Sequence, residues 1–385
     1  MREFRLGCVG LGGRGRGMLQ WVAEGIDGMI PVAVCDTDPA KFHQPYKGDS
    51  GEQPSLESVF PNIRYFEDYD EMLEQAGLDI VMVETPATCH TEFCVKALAR
   101  GIHVYSDIPS VASLAEADAL WKAQNASDAI LMTGATTCGW GFLIVLEELF
   151  RQGLLGNVVS MDAEYIHDCR CLWERTPWRK PSATKPGRGP ITYCTHSLGP
   201  LLKLLDEDLT RVVCLSSGSK ISGLAGAHDL MTAVYQTPSG VLFRNTNSFI
   251  NCAGYAGHSY RVFGTEGYFE HTFGLGKDPG KTRFRSEKLK AFEKLTELDA
   301  GFAPPGLDKW TRDRKAAESG HGGADGYLWH IFAEALRQGG QPAPIDVRAG
   351  LRMTLPGIYA AESARLGGVP LEIKYPWSDG WTAGF

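Results

Sequence analysis

A six-residue glycine string decides most of what this chain can become. Gly10-Leu11-Gly12-Gly13-Arg14-Gly15 follows an apolar run, Phe4–Val9, and precedes a helix-compatible stretch through Ala23. A second apolar run, Met29–Cys35, ends in Asp36, 21 residues beyond Gly15. By itself a glycine string means little in a chain with 45 glycines among 385 residues. Set between a strand and a helix, with an acid closing the next strand, it is the fingerprint of a dinucleotide site. Glycines let the backbone approach a pyrophosphate at a helix N-terminus, where free N–H groups and the helix dipole favour negative charge. Asp36 would accept hydrogen bonds from the adenosine ribose and repel a 2′-phosphate, so the pattern implies NAD rather than NADP.

The following residues keep the alternation. After a polar loop at 39–61, helices are expected at 70–76, 91–100 and 114–125, with strands at 79–83, 103–105 and 129–132. Strand and helix in turn at this spacing predict a doubly wound parallel sheet, a Rossmann domain over residues 1–135. Beyond it the strands lengthen, at 158–166, 211–217, 230–236, 241–248 and 259–263, and hairpin-like turns such as Thr237-Pro238-Ser239-Gly240 separate them. Residues 136–385 are therefore expected to form an α/β domain on a largely antiparallel open sheet, with helices at 142–152, 326–338 and 349–364. An open sheet also predicts a homo-oligomer.

Composition narrows the partners. With 43% apolar and 22% charged residues the chain is an ordinary globular sequence, not a disordered or fibrous one. A net charge of −8 argues against nucleic acid. Ten cysteines scattered through so long a chain read as reduced thiols. No run of about 18 apolar residues occurs and the first strand begins at once, so a cytoplasmic protein without a membrane span is expected.

From Thr85-Pro86 through His90, Ala97-Leu98 and Gly101-Ile102-His103-Val104 to Asp107-Ile108-Pro109, the chain resembles the Gfo/Idh/MocA family of NAD(P)-dependent sugar oxidoreductases. That resemblance implies a Rossmann domain followed by an α/β domain whose open sheet carries the substrate pocket. In the dehydrogenases of the family the last motif usually reads Glu-Lys-Pro, and the lysine handles the proton of the hydroxyl being oxidised. Ile108 stands at that position here. One branch is more similar still: glycoside hydrolase family 109, whose founding members are NAD-dependent α-N-acetylgalactosaminidases. Its Tyr-Ile-His-Asp-x-Arg motif is matched by Tyr165-Ile166-His167-Asp168-Cys169-Arg170. Its Tyr-Pro-Thr-His-Gly-Leu-Gly-Pro motif is matched by Tyr193-Cys194-Thr195-His196-Ser197-Leu198-Gly199-Pro200. Trp178-Arg179, Phe263-Gly264-Thr265-Glu266-Gly267, Gly320-His321-Gly322-Gly323-Ala324-Asp325 and Asp379-Gly380-Trp381 resemble further family segments, so the resemblance spans nearly the whole chain. Cys194, Ser197 and Thr136 depart from the family's proline, glycine and asparagine.

Together the fingerprint and the resemblance imply cofactor contacts from Gly10, Leu11, Gly12, Gly13, Arg14, Gly15, Asp36, Thr85, Pro86, His90, Asp107, Ile108 and Thr136. Substrate contacts are expected from Arg170, Trp178, Arg179, Tyr193, Thr195, His196 and Tyr260. The resemblance further implies hydrolysis through transient oxidation. A hydride leaves the 3-position, the new ketone acidifies the hydrogen at the 2-position, the aglycone is eliminated, water adds and the hydride returns. Such chemistry needs several proton-transfer groups around one sugar. Tyr165 and His167, two apart on a predicted strand, share a face. Tyr193 and His196, three apart at a helix start, also share one. These four are the catalytic candidates. A sugar or glycoside 3-dehydrogenase and a non-catalytic NAD-dependent sensor are the competing readings.

Between Arg170 and Arg188 six basic residues, Arg170, Arg175, Arg179, Lys180, Lys185 and Arg188, face one acid, Glu174, a local charge of +5. Arginine pairs with multi-oxygen anions, so the expected small-molecule substrate is an anionic glycoside such as a sulfoquinovoside or glucuronide; a solvated loop is the alternative. Cys169 and Cys171 lack a second ligand pair, and no metal is expected. His321 lines a pocket or caps a helix. Trp173, Trp178, Trp377 and Trp381 suit sugar stacking or core packing.

Overall fold

The computed structural model describes residues 2–48, 51–174, 176, 180–181, 189–254, 256–274, 280–299, 302, 304, 319–339 and 342–385. Two compact units account for the chain. The first comprises Met1–Trp140, Lys309–Leu351 and Thr382–Phe385, and the second Gly141–Asp308 and Arg352–Trp381.

In the first unit β1 (Phe4–Val9), β2 (Met29–Cys35), β5 (Arg64–Phe66), β6 (Ile80–Val83), β7 (His103–Ser106) and β8 (Leu131–Thr133) form one sheet in the order β5-β2-β1-β6-β7-β8. Every neighbouring pair is parallel. Residues of β6 are buried on both faces, as are those of β1 from Leu6 to Val9. A parallel sheet covered on both sides by helices demands such unbroken apolar runs. The chain steps from β1 to β2 on one side and returns to β6 on the other, which places the topological switch point at the carboxyl ends of β1 and β6. Helix starts follow their caps: Asp68 accepts from the Glu71 amide (2.9 Å) and Ser113 from the Glu116 amide (3.2 Å). The segment read as a plain loop at 39–61 contains two short helices, Ala40–His43 and Leu56–Val59, and a hairpin of β3 (Tyr46–Gly48) and β4 (Gly51–Gln53).

The second unit holds β9 (Val158–Ile166), β10 (Arg211–Ser216), β11 (Leu230–Gln236), β12 (Leu242–Ser248), β13 (Gly257–Gly264), β14 (Gly267–Thr272), β15 (Lys281–Ser286), β16 (Thr296–Glu297) and β17 (Leu371–Glu372). Their order is β16-β15-β14-β13-β9-β12-β11-β10-β17. All neighbours run antiparallel except β9 and β12, which are parallel. Alternation along the strands gives the sheet one buried face: Met161, Ala163 and Tyr165 on β9, and Val212 and Cys214 on β10, between more exposed neighbours. The helix Thr195–Leu202, buried along its whole length, packs on β9. None of the ten cysteines is joined in a disulfide among the described residues. Among the described residues no helix is long and apolar enough to cross a membrane.

Candidate active site

In the first unit the glycine string divides its labour. Gly10 has φ +93°, and a Cβ there would lie 2.6 Å from the Glu84 carbonyl oxygen. At Gly15 a Cβ would collide with the Gly10 carbonyl oxygen, and at Gly13 it would meet the Tyr46 hydroxyl at 2.6 Å. Gly12 differs. It begins the helix Gly13–Gly25 without a side-chain cap, and a Cβ on it would meet nothing within 4 Å. Two glycines thus close the strand-to-helix turn, and Gly12 leaves open space before a helix N-terminus, which fits a pyrophosphate.

Asp36 ties this turn to the next loop. Its carboxylate accepts from the Leu11 amide (2.7 Å) and the Asp38 amide (3.0 Å), and the Lys41 ammonium donates to both oxygens at 2.9 and 3.0 Å. Lys41 escaped the sequence reading. Thr85 and Pro86 follow β6, and Asp107 and Ile108 follow β7. The buried His90 ring joins the two loops, with Nδ1 2.9 Å from the Pro109 carbonyl oxygen and Nε2 2.6 Å from that of Thr85. Ile108 is buried and offers no group that could carry a proton.

Arg14 gathers acids around itself. Its fork binds Asp325 at 2.7 and 3.0 Å, its Nε lies 3.7 Å from Glu84, and Asp107 stands 4.0 Å away. His321 Nδ1 reaches Asp325 at 3.0 Å, and the Thr136 hydroxyl lies 3.4 Å from the same carboxylate. Burial would raise Asp325, but hydrogen bonds from His321 and Arg14, with the charge of Arg14, hold it well below the usual carboxylate range. Glu84 goes the other way: burial first and the neighbouring Asp107 second push it well above that range against the pull of Arg14. Beneath the glycine turn burial thus makes Glu84 hold its proton more tightly than an ordinary carboxyl, and nothing in the sequence marks it beyond an acid ending an apolar strand.

The second unit assembles the catalytic candidates. The Tyr165 ring stacks on His167 at 4.2 Å and on His196 at 5.4 Å, with interplanar angles of 19° and 10°. Tyr193 meets Tyr165 edge-on at 5.8 Å and His196 at 5.1 Å. Two rings that sequence reasoning missed complete the group. Phe249 stands 5.7 Å from both tyrosines, and His258 lies edge-on to Tyr165 at 4.4 Å. The sheet dictates this convergence, because Tyr165 on β9 is in register with Asn247 on β12 and with His258 on β13. Asn247, fully buried, donates to the Pro190 carbonyl (3.0 Å) and accepts from Ser197 (3.3 Å), fixing the turn and helix that carry Tyr193 and His196.

The remaining candidates are spread. Tyr260 and Thr195 are fully buried, and the Tyr260 hydroxyl donates to the His196 carbonyl oxygen at 2.7 Å. Arg170 binds Asp168 through its fork, at 2.6 to 3.1 Å, and donates to the Asn251 carbonyl. Trp178 and Arg179, with Arg175, Lys185 and Arg188, lie outside the described residues. Lys180 is exposed, 6.0 Å from the Trp173 ring. Cys194, where the motif has proline, is fully buried, and burial pushes its thiol up to about 12. Among the described residues no group of three His, Cys, Asp or Glu could hold a metal.

Comparison with known proteins bears on both halves. Residues 4–135 match the oxidoreductase family GFO_IDH_MocA, NAD-binding Rossmann fold, and residues 144–270 match the GFO/IDH/MocA C-terminal domain. A glycosyl hydrolase family 109 protein of Solibacter usitatus is 24% identical, over 97% of this chain and 87% of its own length. Glycosyl hydrolase family 109 protein 1 of Bacteroides thetaiotaomicron is likewise 24% identical, over 99% and 86%. Among solved structures, an inositol dehydrogenase homologue of Azotobacter vinelandii complexed with NAD+ superposes with a TM-score of 0.77 at 20% identity, covering 96% of this chain and 97% of that one. Levoglucosan dehydrogenase, in complex with NADH and levoglucosan, gives 0.75 at 16% identity, over 97% and 100%.

Proposed function

Because the chain belongs to the Gfo/Idh/MocA oxidoreductase family and carries its NAD-binding Rossmann fold, we propose that it is an NAD-dependent glycoside hydrolase. It oxidises its sugar transiently at the 3-position, eliminates the aglycone, adds water and restores the hydroxyl, with no net redox change. One observation carries this reading: Tyr165, His167, Tyr193 and His196, drawn from two separate motifs, form a single ring cluster. The buried Ile108 agrees with it, since the position that handles a proton in the dehydrogenases is apolar here.

When bound, NAD supplies the hydride acceptor and donor. Gly12 and the helix start behind it hold the pyrophosphate, and Asp36 holds the adenosine ribose. The protein must then move protons: off the hydroxyl that becomes a ketone, off the 2-carbon, and onto the departing oxygen. Imidazoles of His167 and His196 are the bases and the phenols of Tyr165 and Tyr193 the hydroxyl donors. Several such groups around one ring are more than a single dehydrogenation needs.

The same reading takes an anionic sugar, a sulfoquinovoside or glucuronide, on the strength of the basic stretch 170–188. Arg170 opens that stretch, held by Asp168, and Arg179 lies within it. A cytoplasmic homo-oligomer is the working state we assign. The test runs in deuterated water with catalytic NAD and paired aryl glycosides, neutral and anionic. Deuterium at the 2-carbon of the product, with no accumulated NADH and a preference for the anion, is the expected result. Stoichiometric NADH with the original hydrogen retained would return the protein to the sugar dehydrogenases.

A further inference from the structure

We infer that Tyr46, on the β3–β4 hairpin, is a further cofactor-binding residue: its hydroxyl donates a hydrogen bond to the pyrophosphate of NAD. The helix Gly13–Gly25 makes its first intrahelical bond from the Arg16 amide to the Gly12 carbonyl oxygen, at 3.0 Å. The amides of Gly13, Arg14 and Gly15 are left over at the helix start, and the N-cap, a glycine, has no side chain to meet them. Such amides are the donors that a pyrophosphate takes up. Tyr46 brings another donor to the same place. A Cβ on Gly13 would lie 2.6 Å from the Tyr46 hydroxyl oxygen and 3.5 Å from the Cζ behind it. The hydroxyl thus stands beside the first helical residue, where a side chain at position 13 would otherwise be. Glycine at 13 makes room for it.

The ring is held from behind. The Arg16 guanidinium lies over it, 5.1 Å from the centroid. Arg16 is 1% exposed, and it donates to the Lys41 carbonyl and, at 2.9 Å, to the Pro54 carbonyl. Those two carbonyls flank the hairpin, so one buried side chain of the helix ties down both of its ends. Within the hairpin Tyr46 is in register with Gln53. A phenol placed in advance gives up little freedom when it meets an anion, and its hydrogen bond to a phosphate oxygen is charge-assisted. Arg16 favours the same ligand. Its Nε has no hydrogen-bond partner, and no carboxylate pairs with it among the described residues. Burying a cation without an acid is costly, and an anion at the start of its own helix offsets that cost.

The contact belongs to the NAD site alone, so it stands or falls apart from the glycosidase reading.

Calorimetric titration of the full chain with NAD, ADP and adenosine, beside thermal unfolding without ligand, tests it. Tyr46→Phe keeps the ring over Arg16 and removes only the hydroxyl. It should bind NAD and ADP, which share the pyrophosphate, about tenfold or more weakly. Adenosine, read by competition, should bind as it does to the parent. The ligand-free variant should melt within about 2 °C of the parent. Gly13→Ala should be better tolerated in Tyr46→Phe than in the parent, because there its methyl meets no oxygen. Unchanged NAD and ADP affinity, an equal loss for adenosine, or a Gly13→Ala effect indifferent to Tyr46 overturns the inference. A markedly lower melting midpoint in ligand-free Tyr46→Phe overturns it too, by showing that the hydroxyl serves the fold.

Discussion

Three glycines in one turn of chain should answer to alanine in three different ways. At Gly15 the new Cβ would strike the Gly10 carbonyl oxygen and lie 3.1 Å from Glu84 Cβ. The first obstacle is backbone and cannot rotate away. Overpacking of this kind costs about 1–3 kcal/mol, and the better helix propensity of alanine returns at most about 1 kcal/mol. A net loss of about 1–2 kcal/mol should lower the melting midpoint by several degrees, at roughly 2–4 °C per kcal/mol for units of this size. Gly12, at φ −66°, suits any residue, and its Cβ would meet nothing within 4 Å. Gly12→Ala should therefore stay within about 1 kcal/mol of the parent, the cost of a poorer N-cap. It should lose NAD instead, by about tenfold or more, because its methyl enters the space left for the pyrophosphate. Gly17, exposed in the same helix with nothing near its Cβ, is the control and should gain about 0.5–1 kcal/mol. Thermal unfolding with and without NAD reads all three at once. At a hundred times the parent's Kd, NAD should stabilise the parent by about 2.7 kcal/mol, with Gly12→Ala showing clearly less. A Gly12→Ala protein that binds NAD as the parent does, or a Gly15→Ala protein as stable as the parent, would refute this division of labour.

Burial and Asp107 raise Glu84 in the folded state, while in the unfolded chain a glutamate releases its proton near pH 4.3. The stability linked to that proton is complete below this value and declines as pH rises toward the folded one, so Glu84→Gln should flatten the decline. An unchanged slope of stability against pH in the variant would show that Glu84 is charged. Asp36→Asn keeps an acceptor for the Leu11 amide but removes the charge that balances Lys41, so NADP should gain on NAD. Adding Lys41→Ala should cancel that gain; titrations of both dinucleotides decide, and equal preference in all three proteins would exclude the pair from selectivity.

Much of the fold was legible because local and tertiary demands agree. The helix Leu114–Asn125 begins on a capping serine, and β9 alternates from Ser160 to Tyr165, so sequence found both at the boundaries observed. Where charge pairs replace apolar residues the pattern fades. In β15, Lys281–Ser286, only Phe284 and Ser286 are fully buried, and Arg283 is paired with Glu270 at 2.6 Å, so the run carries no apolar strand pattern. β5 is too short to show a period. At the site, period two announced that Tyr165 and His167 share a face, but register across strands is what brings His258 to them, and no local signal encodes it. Arg14 and Asp325 stand 311 residues apart, a partnership visible only once the chain is folded.

The single parallel pair in the second sheet has a consequence for altering this protein. Because β9 and β12 run the same way, the segments after Ile166 and Ser248 leave the sheet side by side, with the His167 amide bonded to the Ser248 carbonyl and the Cys169 amide to that of Phe249. An antiparallel pair would have sent them to opposite ends. Two loops distant in sequence therefore diversify one patch of surface at the edge of the ring cluster, and a library randomised at 168–174 and 250–254 would explore new ligands while leaving every strand register untouched.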